Sequence, residues 1–171
     1  MTVRVQREVF DVGRLIDSLQ ANDPGVGAVV NFVGYVRDIN QGEAVAGLFL
    51  EHYPGMTERS LQTIIDNARA RWPLRAVEIV HRIGPLSISE PIVFVGVSSQ
   101  HRQAAFEACA FIMDYLKTDA PFWKREDVAS GARWVDARDS DRSAAERWAD
   151  TQYQATVQRA PASHCYVSSA G

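Results

Sequence analysis

The stretch KTDAPFWKRE, from Lys117 to Glu126, sets Lys117, Lys124 and Arg125 around Pro121, Phe122 and Trp123. Amines held close to one another and to a guanidinium repel, which favours their neutral, nucleophilic and proton-accepting forms. Phe122 and Trp123 are flat enough to wall such a site or to stack on a ring. A plainer account serves equally well, since lysine suits the negative end of a helix dipole and tryptophan is common in cores. The stretch alone leaves both accounts open.

A second cationic pair stands in SSQHRQ, where His101 and Arg102 fall at the start of a long helical pattern capped near Ser98 or Ser99. Positive charge in a first turn opposes the helix dipole at a cost of about 0.3–1 kcal/mol, while the free N–H groups there suit an anion. The segment is either a phosphate or carboxylate site, or a solvated arginine beside a packed histidine. Arg37, just past an apolar run, is a further candidate cation. At 1.5 Å per residue, His101 and Lys117 lie about 24 Å apart along one helix, so they cannot share a small ligand within one chain. Either there are two anion sites, or one site is assembled across a symmetric dimer.

Other chemistries lack their residues. His52, His81, His101 and His164 are scattered, CxxC and HExxH are absent, and no metal site is expected. Phosphate-loop glycine patterns and the GxSxG elbow are also missing. A net charge of −3 over 171 residues gives no general attraction to nucleic acid or anionic lipid, so a cationic site must be local. The two cysteines, Cys109 in an apolar helical pattern and Cys165 in a polar segment, make a disulfide framework unlooked-for, and neither has the cationic, exposed setting of a thiolate. MTVRVQREVFDVG lacks the apolar run of a signal peptide, and no window approaches the roughly 20 apolar residues of a membrane helix. A soluble, cytoplasmic chain without nucleic-acid or membrane partners is expected.

The elements that must position these residues follow from periodicity. A composition that is 46% hydrophobic supports one domain with a real core. REVF suggests a short strand, and the helix after it has Asp11 near its N-cap and Leu15, Ile16 and Leu19 on one face. GAVVNFVGYVR is apolar and β-rich, a buried strand; DINQGEA is a turn or loop, and VAGLFLEHY a second strand. Thr57 suits an N-cap for a helix carrying Leu61, Ile64, Ile65, Ala68 and Trp72, which Pro73 ends. RAVEIVHRIG and EPIVFVGVSS are strands. The long helix with Ala105, Cys109, Ile112 and Leu116 on one face is central. Beyond Pro121 the chain is irregular, with a short strand at ARWVDAR and a last helix whose Ser143 and Glu146 have capping-box spacing. The order points to an α+β fold with antiparallel or mixed sheets. Residues 1–149 form the domain, and 150–171, without apolar periodicity, a flexible or docking tail.

LEHYPGMTE, HRIG, IVFVGVSSQHR, FIMDYLKTDAPFWKRE and RWVDARDSD together resemble the large, catalytic subunit of molybdopterin synthase, the MoaE family, from about Phe10 to Trp148. The resemblance implies an α/β-hammerhead type of α+β domain that forms a homodimer. A small ubiquitin-like sulfur-carrier subunit would bind at each end, giving a heterotetramer. The implied reaction converts cyclic pyranopterin monophosphate to molybdopterin, with two dithiolene sulfurs supplied by the carrier's C-terminal thiocarboxylate and no cofactor on this subunit. Lys117 matches the catalytic lysine and Lys124 the second active-site lysine, with Arg125 and Glu126 beside it. Arg37 matches the arginine after the F-x-G-x-x-R strand, and Phe32 and Met113 would line the pocket. Tyr35 stands where some members carry lysine. His101, Arg102 and Arg138 would bind the pterin phosphate from the partner protomer. A non-catalytic adaptor that keeps only the carrier groove is the other class of function to weigh.

Overall fold

The computed structural model describes residues 3–40, 43–128, 131–135 and 139–148. A four-stranded sheet runs β1 (Val3–Gln6), β5 (Leu74–Arg82), β7 (Pro91–Ser99), β2 (Ala28–Tyr35); β1 is parallel to β5 and the other pairings are antiparallel. Successive side chains of a strand alternate faces, and β7 uses both. Val93, Val95 and Val97 join one core cluster with α2 (Met56–Arg71) and α3 (Arg102–Asp119). Phe94 joins another with Phe10, Leu15 and Leu19 of the region around α1 (Val12–Gln20). The sheet is thus covered on both faces, which accounts for the unbroken apolar run of β7. Gly96 lets α1 close on it, because a Cβ there would lie 2.4 Å from Leu19 Cδ1.

A second sheet runs β3 (Ile39–Asn40), β4 (Glu43–His52), β8 (Phe122–Val128), β9 (Gly131–Val135), with β6 (Gly84–Leu86) also pairing β4. Val36, Leu48, Leu50 and Leu86 form its small core. The last helix, α4 (Asp139–Glu146), packs on α3. Buried Trp148 follows it, edge-on to Trp72 and Phe111, with its indole N–H donating to Asp114 at 2.7 Å.

The α+β class and the central long helix are as expected, but several elements differ. The first strand lies at Val3–Gln6 rather than REVF. β2 is not buried: it pairs on one side only, leaving Phe32 39% and Tyr35 53% exposed. The N-cap of α2 is Gly55, at φ 79°, whose N–H donates to Glu58 at 2.6 Å; Thr57 is buried and occupied elsewhere. Ser98 and Ser99 finish β7 instead of capping α3. Ser98 Oγ accepts from the Ala76 N–H and Ser99 Oγ donates to the Pro73 carbonyl, so His101 takes the cap position. DINQGEA includes the two-residue strand β3. Ser143 lies inside α4, so the capping-box spacing goes unused. The segment after Pro121 is the ordered strand β8, not an irregular one. Among the described residues, no helix is long and apolar enough to cross a membrane.

Candidate active site

Helix α3 ends at Asp119, and two residues later the chain enters β8. Buried Thr57 fixes this corner: its hydroxyl donates to the Pro121 carbonyl at 3.1 Å and accepts from the Tyr53 N–H at 3.1 Å. The short turn carries Lys117, on the last turn of α3, and Lys124, on β8, to the same cavity of about 260 Å³. Phe32 and Gly34 of β2, Leu48 and Leu50 of β4, and Met113 and Leu116 of α3 supply much of its apolar wall. An adjoining notch of about 40 Å³ is lined by Tyr35, Arg37, Asn40 and Glu126, and Lys124 borders both spaces. The structure therefore brings together seven residues expected from the sequence: Lys117, Lys124, Phe32, Met113, Tyr35, Arg37 and Glu126.

Electrostatics divide the two lysines. Lys124 Nζ lies 2.9 Å from Glu126 Oε1, and the Glu126 side chain is only 3% exposed. Asn40 donates its amide to both carboxylate oxygens at 2.8 and 2.9 Å, and Arg133 approaches Oε2 at 3.3 Å. Burial by itself pushes the Glu126 carboxyl up, but the bonds from Asn40, Lys124 and Arg133 together hold it below the usual carboxylate range. Glu126 is thus a buried anion that fixes Lys124. Lys117 is half exposed and meets only Asp141 of α4, at 3.7 Å, among the ion pairs of the described residues.

Arg125 does not join them. One residue along β8 from Lys124, it turns to the opposite face and lies over Phe49 at 4.8 Å and Trp134 at 6.0 Å. The same alternation separates the two aromatics: Phe122 walls the cavity, while Trp123 is 48% exposed on the outer face. His101 and Arg102 are exposed at the far end of α3, away from both cavities. Arg138 lies outside the described residues, as does the segment 150–171.

Sequence reasoning passed over two residues. Asn40, in a segment taken for a loop, is the buried clamp of Glu126. His81, a polar residue inside the apolar pattern of β5, lines the cavity and stacks on Phe122 with ring centroids 3.7 Å apart. Its placement in a buried strand was the available signal. Burial pushes the imidazole down to about 4, so it is neutral near pH 7. Cys109 is buried, and burial raises its thiol to about 11, which leaves no thiolate there to offer sulfur. Among the described residues, no group of three acidic, histidine or cysteine side chains is placed to hold a metal ion.

The family model described as MoaE protein matches residues 5–119. The molybdopterin synthase catalytic subunit of Pseudomonas aeruginosa is 62% identical over 148 residues, covering 86% of this chain and 99% of that one. Among solved structures, the molybdopterin biosynthesis MoaE protein of Burkholderia ambifaria superposes with a TM-score of 0.75 at 48% identity, over 87% of this chain and 98% of that one. The molybdopterin synthase of Staphylococcus aureus gives a TM-score of 0.73 at 34% identity, over 78% and 96% of the two chains.

Proposed function

The chain belongs to the MoaE family, and from that membership we propose that it is the catalytic subunit of a molybdopterin synthase. It converts cyclic pyranopterin monophosphate to molybdopterin by inserting two dithiolene sulfurs. The C-terminal thiocarboxylate of a small ubiquitin-like carrier subunit supplies them. The single observation that carries the reading is the convergence of Lys117 and Lys124 on one apolar cavity beside Arg37 and Glu126.

An apolar passage with amines along it suits a narrow chain that ends in an anion. The apolar walls take the chain and exclude water, which strengthens the attraction between the terminal group and the amines. Lys117, the less restrained amine, acts as acid/base or transient nucleophile at the thiocarboxylate. Lys124, held by Glu126, stabilises charge that develops during transfer. Arg37, with Tyr35 beside it, contacts the pterin phosphate, and Phe32 and Met113 flank the reacting groups. Sulfur comes from the carrier, in keeping with the burial of Cys109.

His101 and Arg102 serve the site of a second protomer, so the working unit is a homodimer with a carrier at each end. Their distance from Lys117 along α3 supports this arrangement. Arg138 joins them, Arg125 acts from the outer face of β8 rather than in the cavity, and the subunit works in the cytoplasm. Residues 1–149 make the catalytic domain and 150–171 an appended tail.

Reconstitution tests the reading. The protein, mixed with a thiocarboxylated carrier and the cyclic pterin precursor, is expected to yield molybdopterin. A protein that binds carrier tightly yet forms no product would be an adaptor instead.

A further inference from the structure

His81 has a hydrogen-bonding arrangement that the proposed chemistry leaves unused. Its Nδ1 lies 2.8 Å from the Arg82 carbonyl oxygen. A carbonyl only accepts, so Nδ1 carries the proton. In the neutral ring Nε2 is therefore a bare acceptor. Nothing among the described residues donates to it, although the residue is only 5% exposed. The ring is not free to turn, since Phe122 stacks on it with planes 16° apart and the Arg82 bond holds its other edge. Only Arg4 Nε and Arg125 Nε are enclosed side-chain atoms without a partner among the described residues, so Nε2 opens onto the cavity that contains Lys117 and Lys124, where it is held rigidly.

The amines nearest by location have other partners. Lys124 is paired with Glu126 at 2.9 Å and Lys117 with Asp141 at 3.7 Å. Water in the open cavity can satisfy Nε2 in the free protein, and a ligand that displaces it must bring a donor of its own. A lone pair repels carboxylate, thiocarboxylate and phosphate oxygens, so the ligand group there is an N–H. Phe122 stacks on His81 and Val93 pairs with it across the sheet, and Leu50 and Met113 line the same cavity, an apolar lining that suits a slim peptide better than a phosphorylated ring system.

Building on the carrier-tail reading above, we infer that His81 is a binding residue that sets the tail's register. Its Nε2 accepts a hydrogen bond from a backbone N–H near the carrier's C-terminus, while the anionic end reaches the lysines. Reversing or sliding the tail by one atom group puts a carbonyl oxygen against the lone pair, so the acceptor discriminates against misplaced tails as well as holding the correct one.

The test uses the full chain and an unthiolated carrier with a free C-terminal carboxylate, without pterin. His81→Phe keeps the stacking ring and removes the acceptor, and His81→Gln returns an amide oxygen near the position of Nε2. Calorimetry is expected to show carrier binding weakened roughly three- to tenfold in the phenylalanine variant, the worth of one hydrogen bond, with recovery in the glutamine variant. Semisynthetic carriers in which each of the last three peptide N–H groups is replaced by an ester oxygen complete a double-mutant cycle. One ester should weaken wild type by a similar factor and leave His81→Phe unaffected. In turnover assays the loss should appear in KM for the carrier with kcat little changed.

Nitrogen NMR of the wild-type imidazole keeps the test independent of any variant's folding. It should report an unprotonated Nε2 in the free protein that becomes hydrogen-bonded when carrier is added. Additive penalties at every ester position, an effect confined to KM for the pterin, or a proton found on Nε2 would each overturn the inference. Failure of wild type to bind carrier would instead overturn the functional reading beneath it.

Discussion

Lys124 Nζ sits 2.9 Å from Glu126 Oε1 because residues two apart on a strand face the same side, and Asn40 grips the same carboxylate from β3. The charge on Glu126 and its shape can be separated by mutation. Glu126→Gln keeps the volume and part of the hydrogen bonding but frees Lys124 from its anionic partner. Turnover is expected to fall by at least tenfold with modest loss of stability. Glu126→Ala removes the anion that Asn40, Arg133 and Lys124 share and should cost about 1–3 kcal/mol in urea denaturation, since the two cations are partly open to water. Equal stability of the alanine variant and wild type would remove Glu126 as the organising anion.

Lys117 and the pair His101–Arg102 occupy opposite ends of α3, so the proposed sharing of one site requires two chains. Lys117→Ala should nearly abolish turnover and leave carrier binding and thermal stability intact, because the side chain is half exposed and makes one ion pair at 3.7 Å. Arg102→Ala should also be inactive. Mixing the two inactive proteins under conditions of chain exchange is expected to restore part of the activity, since each hybrid dimer contains one complete site. No recovery despite exchange, followed by mass spectrometry, would show that His101 and Arg102 do not complete the Lys117 site of a second protomer.

The pH dependence of stability follows from His81. Its imidazole is pushed from the ordinary 6.5 down to about 4, so between these values the unfolded chain binds the extra proton. The stabilisation is fully present above pH 6.5 and is lost as the pH falls toward 4, about 3 kcal/mol in all. Glu126, whose carboxyl is held below its usual range, adds a further loss only at more acid pH. Urea midpoints measured from pH 7 to 4 should fall for wild type and fall much less for His81→Phe. Parallel curves would show that His81 is not the titrating group.

What the sequence discloses and what it hides follow from how each element is stabilised. PIVFVGVSS is recognisable because β7 is covered on both faces, and α3 because its buried residues recur at helical spacing. β8 is hidden, since FWKREDV carries charge on both of its faces and is held by pairing with β4, a long-range bond that periodicity does not record. For the same reason the motif could name Lys124 and Arg125 together, while only the strand's alternation sends them to opposite sides. Asn40 and His81 escape notice because a buried polar side chain looks like a surface residue until its partners are located. Phe32 and Tyr35 reverse this case, being apolar or aromatic residues left open on an edge strand beside the cavities.

Thr57 ties down the corner that carries Lys117 and Lys124 to one cavity. Its hydroxyl donates to the Pro121 carbonyl and accepts from the Tyr53 N–H, joining the start of α2 to the turn between Lys117 and Lys124. Thr57→Val preserves size but strands both backbone groups, because the added methyl can neither donate nor accept. A loss of about 1–3 kcal/mol in urea denaturation is expected, together with a fall in kcat as the turn loosens and the two amines lose their common aim. Thr57→Ser keeps the hydroxyl and should recover most of both effects. If the valine variant turned over like wild type while losing the expected stability, the corner would stabilise the fold without positioning the lysines.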